Sequence, residues 1–115
     1  MFVDGVFNRP ADHARKICEL IIQENIDITW SAWCDIKEVT PEFLDLATKA
    51  GMRRMPLSPD AATDAALRKL GKNIKTSDID RVLKLIKNYK NLYVSFGFYV
   101  IVPSQTFRGL LHTLY

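Results

Sequence analysis

The sequence predicts an α/β fold in which four parallel strands alternate with helices. Three observations carry that expectation. Short β-rich runs alternate four times with segments of three- and four-residue apolar spacing. The strand runs are apolar on both faces, as parallel strands beneath crossover helices are. Helix start and stop residues fall between the runs at the required places.

Taken in order, Met1 to Phe7 (MFVDGVF) is short and rich in β-formers, a strand interrupted by Asp4. Asn8 and Pro10 end it and open a helix, with proline near the first turn, where a missing N–H costs nothing. Ala14, Ile17, Cys18 and Ile21 form the apolar stripe of that helix, through about Glu24. Asp27 to Trp33 reads as the second strand. Thr40-Pro41-Glu42 is a helix start, with a cap, a first-turn proline and an acid at the positive end of the dipole. Phe43, Leu44, Leu46, Ala47 and Ala50 are its inner side, and Gly51 its left-handed stop. Arg53 to Leu57 is the third strand, with Ser58-Pro59-Asp60 as a polar exit. Ala61 to Leu70 is helical and stops at Gly71. A further helix starts at Thr76 or Ser77, with Ile79, Val82, Leu83, Ile86 and Tyr89 as its stripe. Leu92 to Val102 is the fourth strand, and Pro103-Ser104-Gln105-Thr106 turns into a last helix. An open four-stranded sheet and a segment of a β/α-barrel both satisfy this alternation.

Composition narrows the function. The 115 residues, 48% of them hydrophobic, suffice for one domain with a real core. The net charge of +3 comes from 16 basic and 13 acidic residues spread along the chain, so no basic block interleaved with aromatics marks a nucleic-acid surface. No run is long and apolar enough to span a bilayer, and no signal peptide opens the chain. The two cysteines, Cys18 and Cys34, do not make a disulfide framework. A cytoplasmic protein in a reducing compartment, without nucleic-acid or membrane partners, is the expectation.

In a parallel α/β fold, chemistry gathers at the C-terminal ends of the strands. Period-two alternation puts Asp4 on one face with Phe2, Val6 and Asn8; Ser31 with Thr29, Trp33 and Asp35; Ser58 and Asp60 with Arg54; and Tyr99 with Gly97 and Ile101. Asp and Ser just past a strand serve most often as loop or cap residues, and Asp60 could cap the next helix. Asp4 differs, because a carboxylate inside an apolar strand must find a partner. Cys18 sits on a helix stripe as a small core residue, Trp30 and Trp33 could stack on a flat ligand although burial against helices is the commoner fate of a strand tryptophan, and His13 and His112 lack partners at zinc spacing. No metal-ligand set and no Gly-rich phosphate loop is present.

Leu57-Ser58-Pro59-Asp60 followed by Leu67-Arg68-Lys69-Leu70-Gly71-Lys72 resembles the radical S-adenosylmethionine (SAM) segment written Gly-Ile-Glu-Ser, then Leu, then Gly-Lys. Without a gap, Ser58 falls on the family's Gly and Asp60 on its Glu, one methylene shorter. Phe2-Val3-Asp4 with Phe7-Asn8 is similar to the second barrel strand of the cobalamin-binding branch, that of the anaerobic Mg-protoporphyrin monomethyl ester cyclase-like Fe–S oxidoreductases. Thr40-Pro41-Glu42-Phe43-Leu44 to Ala50-Gly51 resembles the helix after the third strand, and Pro103-Ser104-Gln105-Thr106 the Pro-Gly-Glu-Thr turn after the fifth.

The resemblance covers the whole chain as strands two to five of a partial (β/α) barrel, an internal piece of a larger catalytic barrel. It implies a parent enzyme, of oxidoreductase or methyltransferase type, with a [4Fe–4S] cluster, SAM and, by branch, cobalamin. The parent would cleave SAM to a 5′-deoxyadenosyl radical. The family's Cys-x3-Cys-x2-Cys loop follows the first strand and has no counterpart here, so this chain alone is expected to hold no cofactor and to be inactive. Cys18 and Cys34 cannot replace three converging thiolates. By position the resemblance places Asp4 and Asn8 near the methionyl amino group, where a carboxylate suits an ammonium. It places Ser58 and Asp60 toward the ribose or substrate and Tyr99 toward the adenine or substrate, and Ser31 completes the candidate set. The partner implied is the rest of the barrel, and the isolated chain is expected to self-associate through its open sheet edges. The alternative is a small complete α/β ligand-binding or interaction domain without catalysis.

Overall fold

Three parallel strands in the order β1-β2-β3 carry the fold of this computed structural model, which describes residues 1–3, 5–99 and 106–114. The elements run α1 (Ala11–Gln23), β1 (Trp30–Ser31), α2 (Pro41–Lys49), β2 (Met52–Asp60), α3 (Asp64–Lys69), α4 (Thr76–Ile86), β3 (Tyr93–Phe98) and α5 (Phe107–Leu114). Each strand pairs with its neighbour in sequence, so the order never reverses, unlike that of a doubly wound sheet with its switch point. The α/β class and the strand–helix alternation are as the sequence predicts.

Two expected strands are shorter than their apolar content suggests. Among the described residues of the first seven none is in a strand, so three strands stand where four were expected, although this segment lies beside β1. The Phe2 N–H donates to the Ser31 carbonyl at 2.9 Å and the Phe7 N–H to that of Trp33 at 2.8 Å. The bonds lie five residues apart in the segment but only two apart along β1 and the residues that follow it, so no regular ladder can form between them. Of Asp27 to Trp33, only Trp30–Ser31 is strand, with a single further bridge from Cys34 to Leu57. Conversely, β2 runs on through Asp60, so Ser58 and Asp60 belong to the strand and not to a loop. The fourth expected strand ends at Phe98. Ile101 and the turn Pro103-Ser104-Gln105 lie outside the described residues, as does Asp4.

Helix ends follow local chemistry. The Thr40 hydroxyl accepts from the Phe43 N–H at 3.1 Å, and α2 stops at Gly51 with φ +99°. The α3 helix begins later than its alanine content predicts, because Thr63 caps it, accepting from Ala66 N–H at 3.3 Å. That position takes the capping role from Asp60. On α4, Ile79 and Val82 are buried, whereas Leu83, expected on the same stripe, is exposed.

One face of the sheet supplies the core. Trp30, Ala32 and Cys34 along the first strand, and Met55 and Leu57 on β2, pack with Ala14, Cys18, Ile21, Leu44, Ala47, Leu67 and Val82 from the helices. Trp30 closes an aromatic cluster with Phe2 and Phe7, ring centroids 4.8 to 5.0 Å apart, and its indole N–H donates to the Ala50 carbonyl at 2.8 Å. The opposite face is open: Trp33 is half-exposed, Val3 is 86% exposed and Tyr93 62%. Parallel sheets are ordinarily covered on both faces, so this half-bare sheet is the feature that asks for a function.

Candidate functional site

At the C-terminal end of the sheet the open face carries Ser58, Asp60 and Trp33, bordered by Asp35. The alternation that buries Met55 and Leu57 beneath helices turns Arg54, Ser58 and Asp60 to the other side. Two clefts meet there. One, of about 330 Å³, lies between the N-terminal segment, the exit of β1 and the residues after α3; Val6, Arg9, Trp33, Asp35, Ser58 and Lys72 line it. The other, of about 430 Å³, is bounded by Met1, Phe2, Val3, Gly5, Trp33 and Ser58. Ser58 and Trp33 stand in both.

Asp60 closes β2 in the left-handed region, at φ +70°, where the ladder to β3 shifts register. A non-glycine residue there stores strain that its surroundings must hold. Lys72 does so: its ammonium pairs with the Asp60 carboxylate and donates to the Ser58 carbonyl at 3.3 Å. The Tyr99 N–H donates to the Asp60 carbonyl at 3.0 Å, which anchors the exit of β3 to the same point. Gly97 passes alongside, and a Cβ there would stand 3.6 Å from the Ser58 hydroxyl, in ordinary van der Waals contact. Among the described residues the hydroxyls of Ser58 and Ser31 make no hydrogen bond of their own.

The six candidate residues are gathered unequally. Ser58 and Asp60 are neighbours on one face, and Tyr99, itself exposed, adjoins Asp60 through its backbone. Ser31 is on the open face of β1, paired in register with Arg54, well before the strand exits. Asn8 is buried, and its amide is engaged: Nδ2 donates to the Asp35 carbonyl at 2.9 Å and Oδ1 accepts from the Asp35 N–H at 2.7 Å. It therefore ties the N-terminal segment to the exit of the first strand. Asp4 lies outside the described residues. Two residues absent from the sequence-derived set help build the site. Lys72 belongs to the Gly71-Lys72 motif, and a strand-end carboxylate calls for a cation. Arg9, whose Nη1 meets Asp35 Oδ2 at 3.0 Å, had no local signal at all.

The two cysteines are free and buried, one fewer than the three thiolates a cluster of this type needs. Burial pushes the Cys34 thiol up to about 12; the Asn8 backbone N–H opposes this, and Cys18 and Asp35 add to it. Burial pushes Cys18 up to about 11, with Glu19 adding to the effect. Neither thiol is expected to react with an aromatic disulfide reagent at about pH 8 until denaturant is added; labelling of the native chain at the denatured rate would contradict this. Both folded values exceed the ordinary 9.0. The stability these neutral thiols contribute is thus complete below about pH 9 and is lost as pH rises through about 11 to 12. Among the described residues no group of three or more His, Cys, Asp or Glu side chains converges as a metal site, and no helix is long and apolar enough to cross a membrane.

No protein-family model matches the chain, and no curated protein matches it in sequence. Solved structures do align. Two are of the radical S-adenosylmethionine methyltransferase TsrM from Kitasatospora setae, one with its tryptophan substrate and the SAM analogue aza-SAM bound, the other with cobalamin and a [4Fe-4S] cluster bound. Each is 20% identical with a TM-score of 0.80 over 93% of this chain. The chain spans only 22% and 23% of the length of those methyltransferase chains. At that identity the likeness is one of architecture: the chain has the fold of one segment of a radical SAM methyltransferase.

Proposed function

We propose that this chain is the central part of the catalytic barrel of a radical SAM enzyme of the cobalamin-binding branch, and that it supplies one wall of the SAM and substrate pocket. The observation that carries the reading is the open sheet face. Sequentially ordered parallel strands covered by helices on one side only present Ser31, Ser58, Asp60 and Tyr99 on the other. In a closed barrel that face is the interior, and its strand exits are where active sites lie. The alignment with a methyltransferase segment supports the same placement.

Bound SAM and the cluster would supply the radical chemistry; the residues of this chain bind and orient. Ser58 offers a hydroxyl without an internal partner, suited to a ribose hydroxyl. The Asp60 carboxylate, fixed by Lys72, accepts a hydrogen bond beside it, and Asn8 holds the exit at Asp35 in place. The motifs point toward a cyclase-like Fe–S oxidoreductase and the aligned structures are methyltransferases; radical SAM chemistry is common to both. A cytoplasmic, reducing setting fits two free buried thiols.

The test begins at the gene. An in-frame Cys-x3-Cys-x2-Cys loop upstream supports the reading, and translation starting at Met1 with no cysteines before it favours the small ligand-binding domain. The present chain, reconstituted anaerobically with iron and sulfide, is expected to bind no cluster; a stoichiometric brown product would overturn that. In the longer cluster-bearing protein, Ser58→Ala with Asp60→Asn is expected to weaken SAM binding at least about tenfold, through two lost hydrogen bonds. Unchanged affinity would remove these residues from the pocket.

The partner is the remainder of the barrel. In its absence the bare face and the outer edge of β3 are expected to recruit a second copy. Light scattering on the isolated chain should report dimers or larger species, and a monodisperse monomer at high concentration would argue for the complete small domain.

A further inference from the structure

A third cleft, of about 440 Å³, adjoins the candidate site through Lys72 and Asn73 and continues between Lys37, Arg68 and Lys75. Four cations line it against two carboxylates, Asp64 and Asp78. Both carboxylates are already engaged. Asp64 Oδ1 accepts from the Thr76 N–H at 2.8 Å, and Asp78 Oδ2 from the Lys75 N–H at 2.9 Å. Those bonds also occupy N–H groups at the start of α4, so attraction for an anion here comes from side chains and not from the helix end.

Lys72 pairs with Asp60, whereas Lys37, Arg68 and Lys75 form no salt bridge among the described residues, although hydrogen bonding with Thr76 and, to a lesser degree, the charges of Arg68 and Lys75 hold the Asp64 carboxyl below its usual range. The walls are held in place. Arg81 on α4 donates to the carbonyls of Val39 at 2.6 Å and Ile36 at 2.9 Å, which fixes the loop bearing Lys37 against the helix that follows Lys75. Cations outnumber carboxylates in the lining, an excess of positive charge that concentrates anions, and a guanidinium with two ammonium groups suits the several oxygens of one polyanion.

We propose that this cleft binds a small multivalent oxyanion, a phosphate ester or a dicarboxylate, with Lys37, Arg68 and Lys75 as its charge partners. That the anion belongs to the substrate of the barrel enzyme rests on the function proposed above; its binding to this chain does not.

The full chain is titrated with inorganic pyrophosphate and, separately, with malonate at fixed ionic strength, and backbone-amide NMR shifts are followed. Saturable shifts confined to residues 37, 68 and 72–78 are expected, and the tighter probe distinguishes phosphate from carboxylate. Arg68→Gln with Lys75→Gln should weaken binding at least about tenfold, the loss of two charge-assisted contacts. Lys49→Gln with Lys90→Gln, in a cleft elsewhere on the chain, should change it less than about twofold. Equal losses in both pairs, unsaturable shifts scattered over the chain, or tighter binding of a single-stranded oligonucleotide than of either probe would overturn the site. The wild-type shift map decides the question even if the double variant fails to fold. Failure here, with cluster and SAM binding intact in the longer protein, removes only this inference.

Discussion

Replacing Gly51 with alanine is expected to cost about 3 kcal/mol or more, a large share of the roughly 5–15 kcal/mol that holds a domain of this size together. Two penalties coincide. The residue sits at φ +99°, where an L side chain is strained, and its Cβ would fall against the carbonyl of Ile28. That contact is with backbone, so no rotamer change relieves it and the chain must move. Movement would disturb the hydrogen bond from the Trp30 N–H to the Gly51 carbonyl at 3.0 Å and that from the Trp30 indole to the Ala50 carbonyl at 2.8 Å. These join the start of β1 to the α2–β2 junction. Gly71 is the control: it has φ +68° but nothing within 4 Å of its missing Cβ, so Gly71→Ala should cost only about 1 kcal/mol. Urea midpoints of the two variants check the comparison, and a smaller loss at Gly51 than at Gly71 would refute it.

Asn8→Ala is expected to cost about 2–4 kcal/mol, because it leaves two backbone groups unpaired at a buried position. The side chain is 1% exposed and bonds both the N–H and the carbonyl of Asp35 across 27 residues of sequence. Asn8→Asp should also destabilise, since it sets an acceptor against the Asp35 carbonyl. The thermal midpoint of Asn8→Ala should fall by on the order of 10 °C, with loss of hydrogen-exchange protection at the Asp35 amide. An unchanged midpoint would show that the pair of bonds is dispensable. The effect bears on function, since Asp35 borders the first cleft and Asn8 sets where it stands.

What could be read from the sequence was whatever depends on near neighbours. Thr40-Pro41-Glu42 and Gly51 bound α2 to within a residue, because caps and left-handed stops are local chemistry. Alternation along β2 assigned Arg54, Ser58 and Asp60 to one face correctly. Alternation does not say what a residue meets. The Lys72 partner of Asp60 could be sought from its motif but not assigned to that carboxylate, and nothing near Asn8 or Arg9 announces that both meet Asp35. Apolar content also overstated the strands at Met1 to Phe7 and Asp27 to Trp33, because a strand exists only where a neighbour shares its register. Leu83, apolar and at helical spacing, faces solvent for the same kind of reason: spacing describes a helix, not what packs against it.

The unreversed order of the strands bears on how such a molecule comes to exist during synthesis. Each strand docks on the one made just before it, so every unit leaving the ribosome finds an edge already waiting, and no earlier pairing has to be undone. Growth of this kind has no intrinsic stopping point. Further strand–helix units could be added at the β3 edge while the contacts around Trp30 and Leu57 stay as they are, so that the same core serves a sheet of any length until closure ends it.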